Sequence, residues 1–510
     1  MLTKAILLNA LAGTALASPH HFPVFKRQSS LSDFISSETS IAKKGVLANI
    51  GADGAKASNA SAGVVVASPS KSDPDCSSPT PSLPSTAMLT TTDFYTWTRD
   101  SGLTLAALIE QFLAGDDSLE TLIQEYVTSQ AKQQAVSNPS GDLSDGSGLG
   151  EPKFNADLTA FTDAWGRPQR DGPALRASAL IAYGNSLVTS NKALVQKNIW
   201  PIVANDLAYV GQYWNQSTYD LWEEVQGSSF FTTAVQHRAL VEGKAFATSL
   251  GETCDACSVA PQILCFLQSY WNGSAVISNT PSSGRSGIDA NSVLASIHTF
   301  DPAASCDDTT FQPCSSRALS NHKIYVDSFR DIYTVNQGRG AGKAAATGRY
   351  MEDSYMGGNP WYLTTLAAGE MLYDALYQWD QQGAIKVDAV SQPFWADLVG
   401  NVTTGSFAKS SAQYQSMTSA VKTYADGFVS VVQEYTPSDG SLSEQYARDG
   451  GDPTSATDLT WSYAAFLTAV ARRNGTVPAS WGASSASDVP SQCSGETVQG
   501  AYSTPAVPSW

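Results

Sequence analysis

The sequence predicts an all-α fold, a barrel of antiparallel helix pairs that carries its chemistry on loops at one end. Three observations point there. Apolar residues recur at i, i+3, i+4 and i+7 in one segment after another, which is the spacing of a single helix face. Period-2 alternation is scarce, and Val64 to Ala67 is the best short candidate for a strand. The stretches between helical segments are rich in Gly, Pro, Trp and charge, and loops on a rigid helical scaffold are where such residues do chemistry.

In chain order, the first segment is a targeting signal. Lys4 supplies the positive charge, Ala5 to Leu16 is a short apolar run, and Ala15-Leu16-Ala17 is a small-x-small cleavage site, giving a signal peptide over 1–17. The run is too short to cross a bilayer as a helix. Residues 18–27 end in Lys26-Arg27 and read as a pro-segment, leaving Gln28 as the mature start.

Helical stripes follow. Leu105, Leu108, Ile109 and Phe112 share one face, as do Leu119, Leu122, Ile123 and Tyr126. The same spacing returns at Leu372, Ala375, Leu376 and Trp379, at Val421, Tyr424, Phe428, Val431 and Val432, and at Tyr463, Phe466, Leu467 and Val470. No long linker interrupts them, so 28–481 reads as one catalytic domain. Residues 482–510 are Ser-, Ala- and Pro-rich without periodicity and read as a tail. The stretch from Cys76 to Asp93 is Ser/Thr/Pro-rich and interrupts the approach to Tyr95-Thr96-Trp97. It reads as an insertion, most simply translated non-coding sequence.

Composition narrows the function. A formal charge of -17 argues against nucleic acid, because phosphate binding needs basic patches. Sequons at Asn59, Asn215, Asn272, Asn401 and Asn474 suit a secreted glycoprotein. Seven cysteines in 510 residues trim a fold that a large core already holds. The five histidines are dispersed, no metal spacing appears, and neither a Gly-x-Ser-x-Gly elbow nor a dinucleotide-binding glycine motif is present. No metal and no cofactor is expected.

The chemistry concentrates at Asp220-Leu221-Trp222-Glu223-Glu224, three carboxylates around an indole. An acid can protonate a glycosidic oxygen while a flat apolar face supports a sugar ring. Glycoside hydrolysis needs a second carboxyl across the bond, and Glu444, in Ser443-Glu444-Gln445-Tyr446, offers it. Like charge from Asp220 and Glu224 would crowd Glu223 and favour its protonated form. Arg99-Asp100 and Arg349 with Asp353 are arginine-carboxylate sets suited to sugar hydroxyls. Trp97, Trp165, Trp222, Trp361 and Trp461 all fall in the loops, as an oligosaccharide cleft requires.

These residues together resemble the fungal glucoamylases, glycoside hydrolase family 15. The resemblance covers nearly the whole mature chain, through Ile50 to Ala55, Tyr95 to Gly102, Gly150 to Asn155, Trp165 to Pro173, Tyr219 to Val225, Ala234 to Gly243, Asn359 to Trp361 and Leu459 to Tyr463. It implies an (α/α)6 barrel of six inner and six outer helices, and an exo-acting, inverting enzyme that releases β-D-glucose from starch, maltodextrins and maltose. Glu223 matches the general acid and Glu444 the general base, with Asp220 beside them in the catalytic set. Arg99, Asp100 and Arg349 match the groups that hold the terminal glucose. Leu221, Trp222, Glu224, Trp165, Trp97, Tyr355, Trp361 and Trp461 match substrate-binding positions. The implied disulfides are Cys254–Cys257, Cys265–Cys493 and Cys306–Cys314, with Cys76 left over.

The chain also departs from the family. Asp93 stands where a Tyr is usual, Phe161 replaces a common Tyr, and Met351 and Met356 replace residues that are often Pro and Tyr. A secreted, extracellular monomer acting on starch-type substrates, with no nucleic acid or membrane partner, is the expectation. An exo-glycosidase for trehalose or isomaltose on the same barrel is the enzymatic alternative, and an inactive carbohydrate-binding protein the other.

Overall fold

A computed structural model describes residues 30–70 and 93–510. The signal peptide and pro-segment, Cys76 and the rest of the insertion before Asp93 lie outside the described residues. Among the described residues the chain forms thirteen α-helices. They are α1 (Leu31–Ala48), α2 (Thr98–Leu113), α3 (Glu120–Gln134), α4 (Gly172–Asn198), α5 (Trp200–Tyr213), α6 (Phe230–Leu250), α7 (Ala260–Leu267), α8 (Asn291–His298), α9 (Ser316–Asp327), α10 (Tyr362–Gln382), α11 (Gln392–Val399), α12 (Ala412–Tyr435) and α13 (Thr460–Arg473).

Packing sorts them into two layers. Helices α2, α4, α6, α8, α10 and α13 each contact the next, and α13 returns to α2, which closes a ring of six. Outside it, α1 packs on α13, α3 on α2, α5 on α4 and α6, α7 on α6, α9 on α8 and α12 on α10. The expected (α/α)6 barrel is the observed fold. The apolar stripes are what the outer helices and ring walls bury: Ile123 and Tyr126 on α3, and Val421, Phe428, Val431 and Val432 on α12, are fully enclosed. Serine side chains cap α1, α9 and α12 at Ser30, Ser315 and Ser411.

The strands are short pairs. β1 (Tyr95–Trp97) and β2 (Lys153–Asn155) run antiparallel, with Trp97 opposite Lys153. The strand expected at Val64 to Ala67 reduces to a single bridge between Val65 and Ile50. Its backbone is shared out instead: Gly51 donates to Val64, Val66 to Asn49 and Ala67 to Tyr95. The partner changes from the Asn49–Gly51 segment to Tyr95 within this run, so no ladder propagates.

Three disulfides, Cys254–Cys257, Cys265–Cys493 and Cys306–Cys314, are formed as the resemblance implies. The C-terminal segment runs along the outer helices. Trp214 donates to the Glu496 carbonyl, Asn205 to the Ser503 carbonyl, and the Trp510 ring meets Tyr183 at 6.2 Å. All five sequon asparagines are exposed. No described helix is long and apolar enough to cross a membrane.

Candidate active site

Each inner helix begins where a loop of unusual composition ends. The loops before α2, α4, α6, α10 and α13 converge on one cavity of about 360 Å³. Trp97, Arg99, Asp100, Trp165, Gly166, Leu221, Trp222, Glu223, Glu224, Arg349, Tyr355, Trp361, Glu444 and Trp461 all line it, joined by Ala67, Asp93 and Leu459. All the expected site residues except Asp220 therefore meet in one place.

Glu223 occupies a left-handed backbone conformation, φ +67°. For a residue with a Cβ this costs ~1–2 kcal/mol, so the surroundings must hold it. They do so through a knot built on Asp220. One Asp220 carboxylate oxygen accepts the backbone N–H groups of Glu224 and Val225, both at 3.0 Å, and the other accepts Asn279 Nδ2 at 3.0 Å. Gly166 faces this turn so closely that a Cβ would sit 2.7 Å from the Glu223 carbonyl oxygen. The Asp220 carboxylate is thus bonded to the turn that carries Glu223, and Asp220 is not among the residues that line the cavity.

The expected crowding of Glu223 by the like charge of Asp220 and Glu224 is absent. Glu224 turns away to Arg349 and Arg285, 2.8 Å from each, and accepts the Tyr350 hydroxyl. Two donors reach Glu223, and the like charge close to it is that of Asp100. Trp97 Nε1 donates to Oε1 at 2.6 Å, and Arg99 Nη2 stands 3.5 Å away.

Arg99 is buried and reaches Gln169 at 2.7 Å, Asp171 at 3.2 Å and Asp100 at 3.4 Å. Burial pushes the Asp100 carboxyl up to about 6 against the pull of Arg99, and its Oδ2 accepts no hydrogen bond. The indole N–H groups of Trp165 and Trp361 are likewise unpartnered. Buried polar atoms are rarely left unmatched, so these are standing acceptors and donors for ligand hydroxyls. Across the cavity, Arg349 grips Asp353 with two nitrogens, at 2.8 and 2.6 Å. Its guanidinium lies 5.0–5.5 Å from the rings of Trp222, Tyr350, Tyr355 and Trp361.

Glu444 is tied from the outside. Its Oε2 accepts Gln445 Nε2 at 2.9 Å and the Ser455 hydroxyl, and its backbone N–H donates to Ala456 at 2.8 Å. Burial, then the negative charge of Asp93, push its carboxyl above the usual range. Asp93 thus sets a carboxylate near Glu444 where the family resemblance leads one to expect a phenol.

Two groups escaped the sequence reading. Asp289, just before α8, accepts the Trp222 indole N–H at 2.8 Å and fixes the ring that stacks 6.4 Å from Trp461. Lys153 sits among the rings beside Glu223. No spacing marks Asp289, because it is a lone acid ahead of a short helix. Lys153 lies inside the run Gly150 to Asn155, whose role only the pairing of β1 with β2 reveals.

The comparisons with known proteins fall on one family. Residues 40–471 match glycosyl hydrolases family 15. A glucoamylase of Neurospora crassa is 57% identical over 492 residues, covering 96% of this chain and 75% of that protein. Glucoamylase P of Amorphotheca resinae is 50% identical over 504 residues, covering 98% of this chain and 78% of that protein. The solved family 15 glucoamylase of Hypocrea jecorina superposes with a TM-score of 0.90 at 55% identity, covering 94% of this chain and 78% of that one.

Proposed function

We propose, from the premise that the chain belongs to glycosyl hydrolases family 15 and is a glucoamylase, that it is a secreted exo-enzyme cutting starch and maltodextrins with inversion to β-D-glucose. In this reading Arg99, Asp100 and Arg349 hold the hydroxyls of the terminal glucose, and the indoles of Trp165, Trp222, Trp361 and Trp461 support ring faces. Glu223 protonates the leaving glycosidic oxygen. Glu444 draws a proton from water on the opposite face of the ring. The C–O bond breaks as the new one forms, so the anomeric centre inverts.

The observation that carries the reading is that Glu223 and Glu444, distant in sequence, open on one cavity walled by five indoles and two guanidinium groups. Exo action follows from the same shape, since a small cavity admits a chain end more readily than its middle. Asp220 enters as a positioning residue that holds the Glu223 turn.

The test is glucose release from maltodextrin by Glu223→Gln and Glu444→Gln. Each is expected to lose ~10²- to 10⁴-fold in kcat, the contribution of one positioned acid or base. Both variants should still quench tryptophan fluorescence on binding a substrate analogue. Turnover near that of the wild type in either variant refutes the assignment.

A further inference from the structure

Lys153 is 1% exposed, and its ammonium sits over ring faces rather than in an ion pair among the described residues. Its Nζ lies 3.5 Å from the Trp165 ring centre, 4.2 Å from Tyr95, 4.4 Å from Phe161 and 4.6 Å from Trp97. The rings touch one another in a closed circuit. Tyr95 meets Trp97 at 6.4 Å, Trp97 meets Trp165 at 6.1 Å, Trp165 meets Phe161 at 5.7 Å, and Phe161 returns to Tyr95 at 5.1 Å. All four contacts are edge-to-face, so ring faces remain for the cation at the centre.

Two walls of this box belong to the active site. Trp165 lines the cavity, and Trp97 donates its indole N–H to Glu223 at 2.6 Å. The strand pairing of Trp97 with Lys153 fixes the backbone under both. On the fourth side the ammonium meets the ring of Phe161, where a Tyr is common in the family.

We propose that Lys153 is a positioning residue for the acid: its ammonium binds the four rings into one rigid box, and through Trp97 that box fixes the Glu223 carboxyl at the leaving oxygen. This rests on the reading of Glu223 as the acid. A methionine at 153 would fill similar space without the cost of burying a charge. What it would lose is the attraction of the cation for each ring quadrupole, and with it the fixed angle of Trp97. Burial lowers the lysine to about 8, so in acid and neutral solution the group is the cation the box requires.

The experiment compares maltose with α-D-glucosyl fluoride. Cleavage of maltose needs a proton on the departing oxygen. In the fluoride, the C–F bond breaks and fluoride leaves as an anion with little need of an acid, while water attacks as before. Lys153→Met is expected to lose ~10- to 100-fold in kcat on maltose, the scale of a small misplacement of a catalytic group. Its KM should be nearly unchanged and its rate on the fluoride close to that of the wild type. Lys153→Arg, which keeps a cation over the rings, should recover most of the maltose rate.

Equal losses on both substrates, or no loss on either, overturn the proposal. If Lys153→Met does not accumulate as folded protein, Phe161→Leu removes one wall and must show the same selective loss in milder form; equal effects on both substrates there also overturn it. Glu223→Gln is run alongside. Full maltose turnover in that variant sinks the acid assignment itself, which separates its failure from a failure of the Lys153 role.

Discussion

Asp289→Asn offers a quantitative test of how the site is built. Asp289 is buried, and one of its oxygens accepts Trp222 Nε1 and the Asn291 backbone N–H, each at 2.8 Å. Burial raises its carboxyl from 3.8 to about 7, and the two hydrogen bonds offset only part of that. The native state therefore keeps a proton that the unfolded chain releases near pH 3.8. Between those values the native state binds more protons than the unfolded one, so stability falls as pH rises. At 1.36 kcal/mol per pH unit, the loss from pH 5 to 7 is at most ~3 kcal/mol. Asparagine keeps the shape and the acceptor oxygen and never ionises. Urea-unfolding midpoints should match for the two proteins near pH 3.5, and the variant should be the more stable by ~4 kcal/mol at pH 7.5. Glucose release should survive, because Trp222 keeps its partner. Parallel stability curves, or a variant weaker at pH 7.5, would refute the reasoning.

Two further outcomes follow from the structure. Deleting residues 76–92 together with Asp93→Tyr removes the carboxylate that pushes Glu444 up; because Glu444 acts ionised, the acid limb of kcat/KM should move to lower pH and turnover should rise, and an unchanged profile would count against the place given to Asp93. Cys493→Ser opens a bridge that spans 228 residues and is expected to cost ~2–4 kcal/mol in thermal unfolding while leaving kcat alone, because no residue beyond 482 lines the cavity; a parallel loss of turnover would contradict that separation.

Much of the fold was legible because the outer and wall helices carry one-sided stripes. The stripes at 105–112, 119–126, 372–379, 421–432 and 463–470 became α2, α3, α10, α12 and α13. Helix α6 gave no such signal, because its first turns bury polar residues such as Thr232, Thr233, Gln236 and His237 along with the apolar ones, and its exposed face is confined to the last turns, at Lys244, Thr248 and Ser249. Helices α8 and α9 are too short for periodicity to speak clearly. Val64 to Ala67 misled because an apolar run can be buried without forming a ladder.

The site was legible through its side-chain types. The indoles, arginines and carboxylates of these stretches line the cavity, although Trp97 lies on β1 and Arg99, Asp100 and Trp461 sit in the first turns of α2 and α13 rather than in loops. What could not be read was direction. Asp220 and Glu224 flank Glu223 in sequence, yet the left-handed turn at Glu223 sends the three carboxylates to different partners. Asp289 and Lys153 act through Trp222 and Trp97, contacts that exist only once the barrel has closed.

Proton NMR of the sugar formed in the first minutes of maltotriose hydrolysis tests the paired roles of Glu223 and Glu444 most directly. An acid and a base acting across an intervening water release β-D-glucose first, and the α-anomer grows in only as the sugar mutarotates. Initial accumulation of α-D-glucose would mean a covalent intermediate, and would contradict the roles given to the two carboxyls.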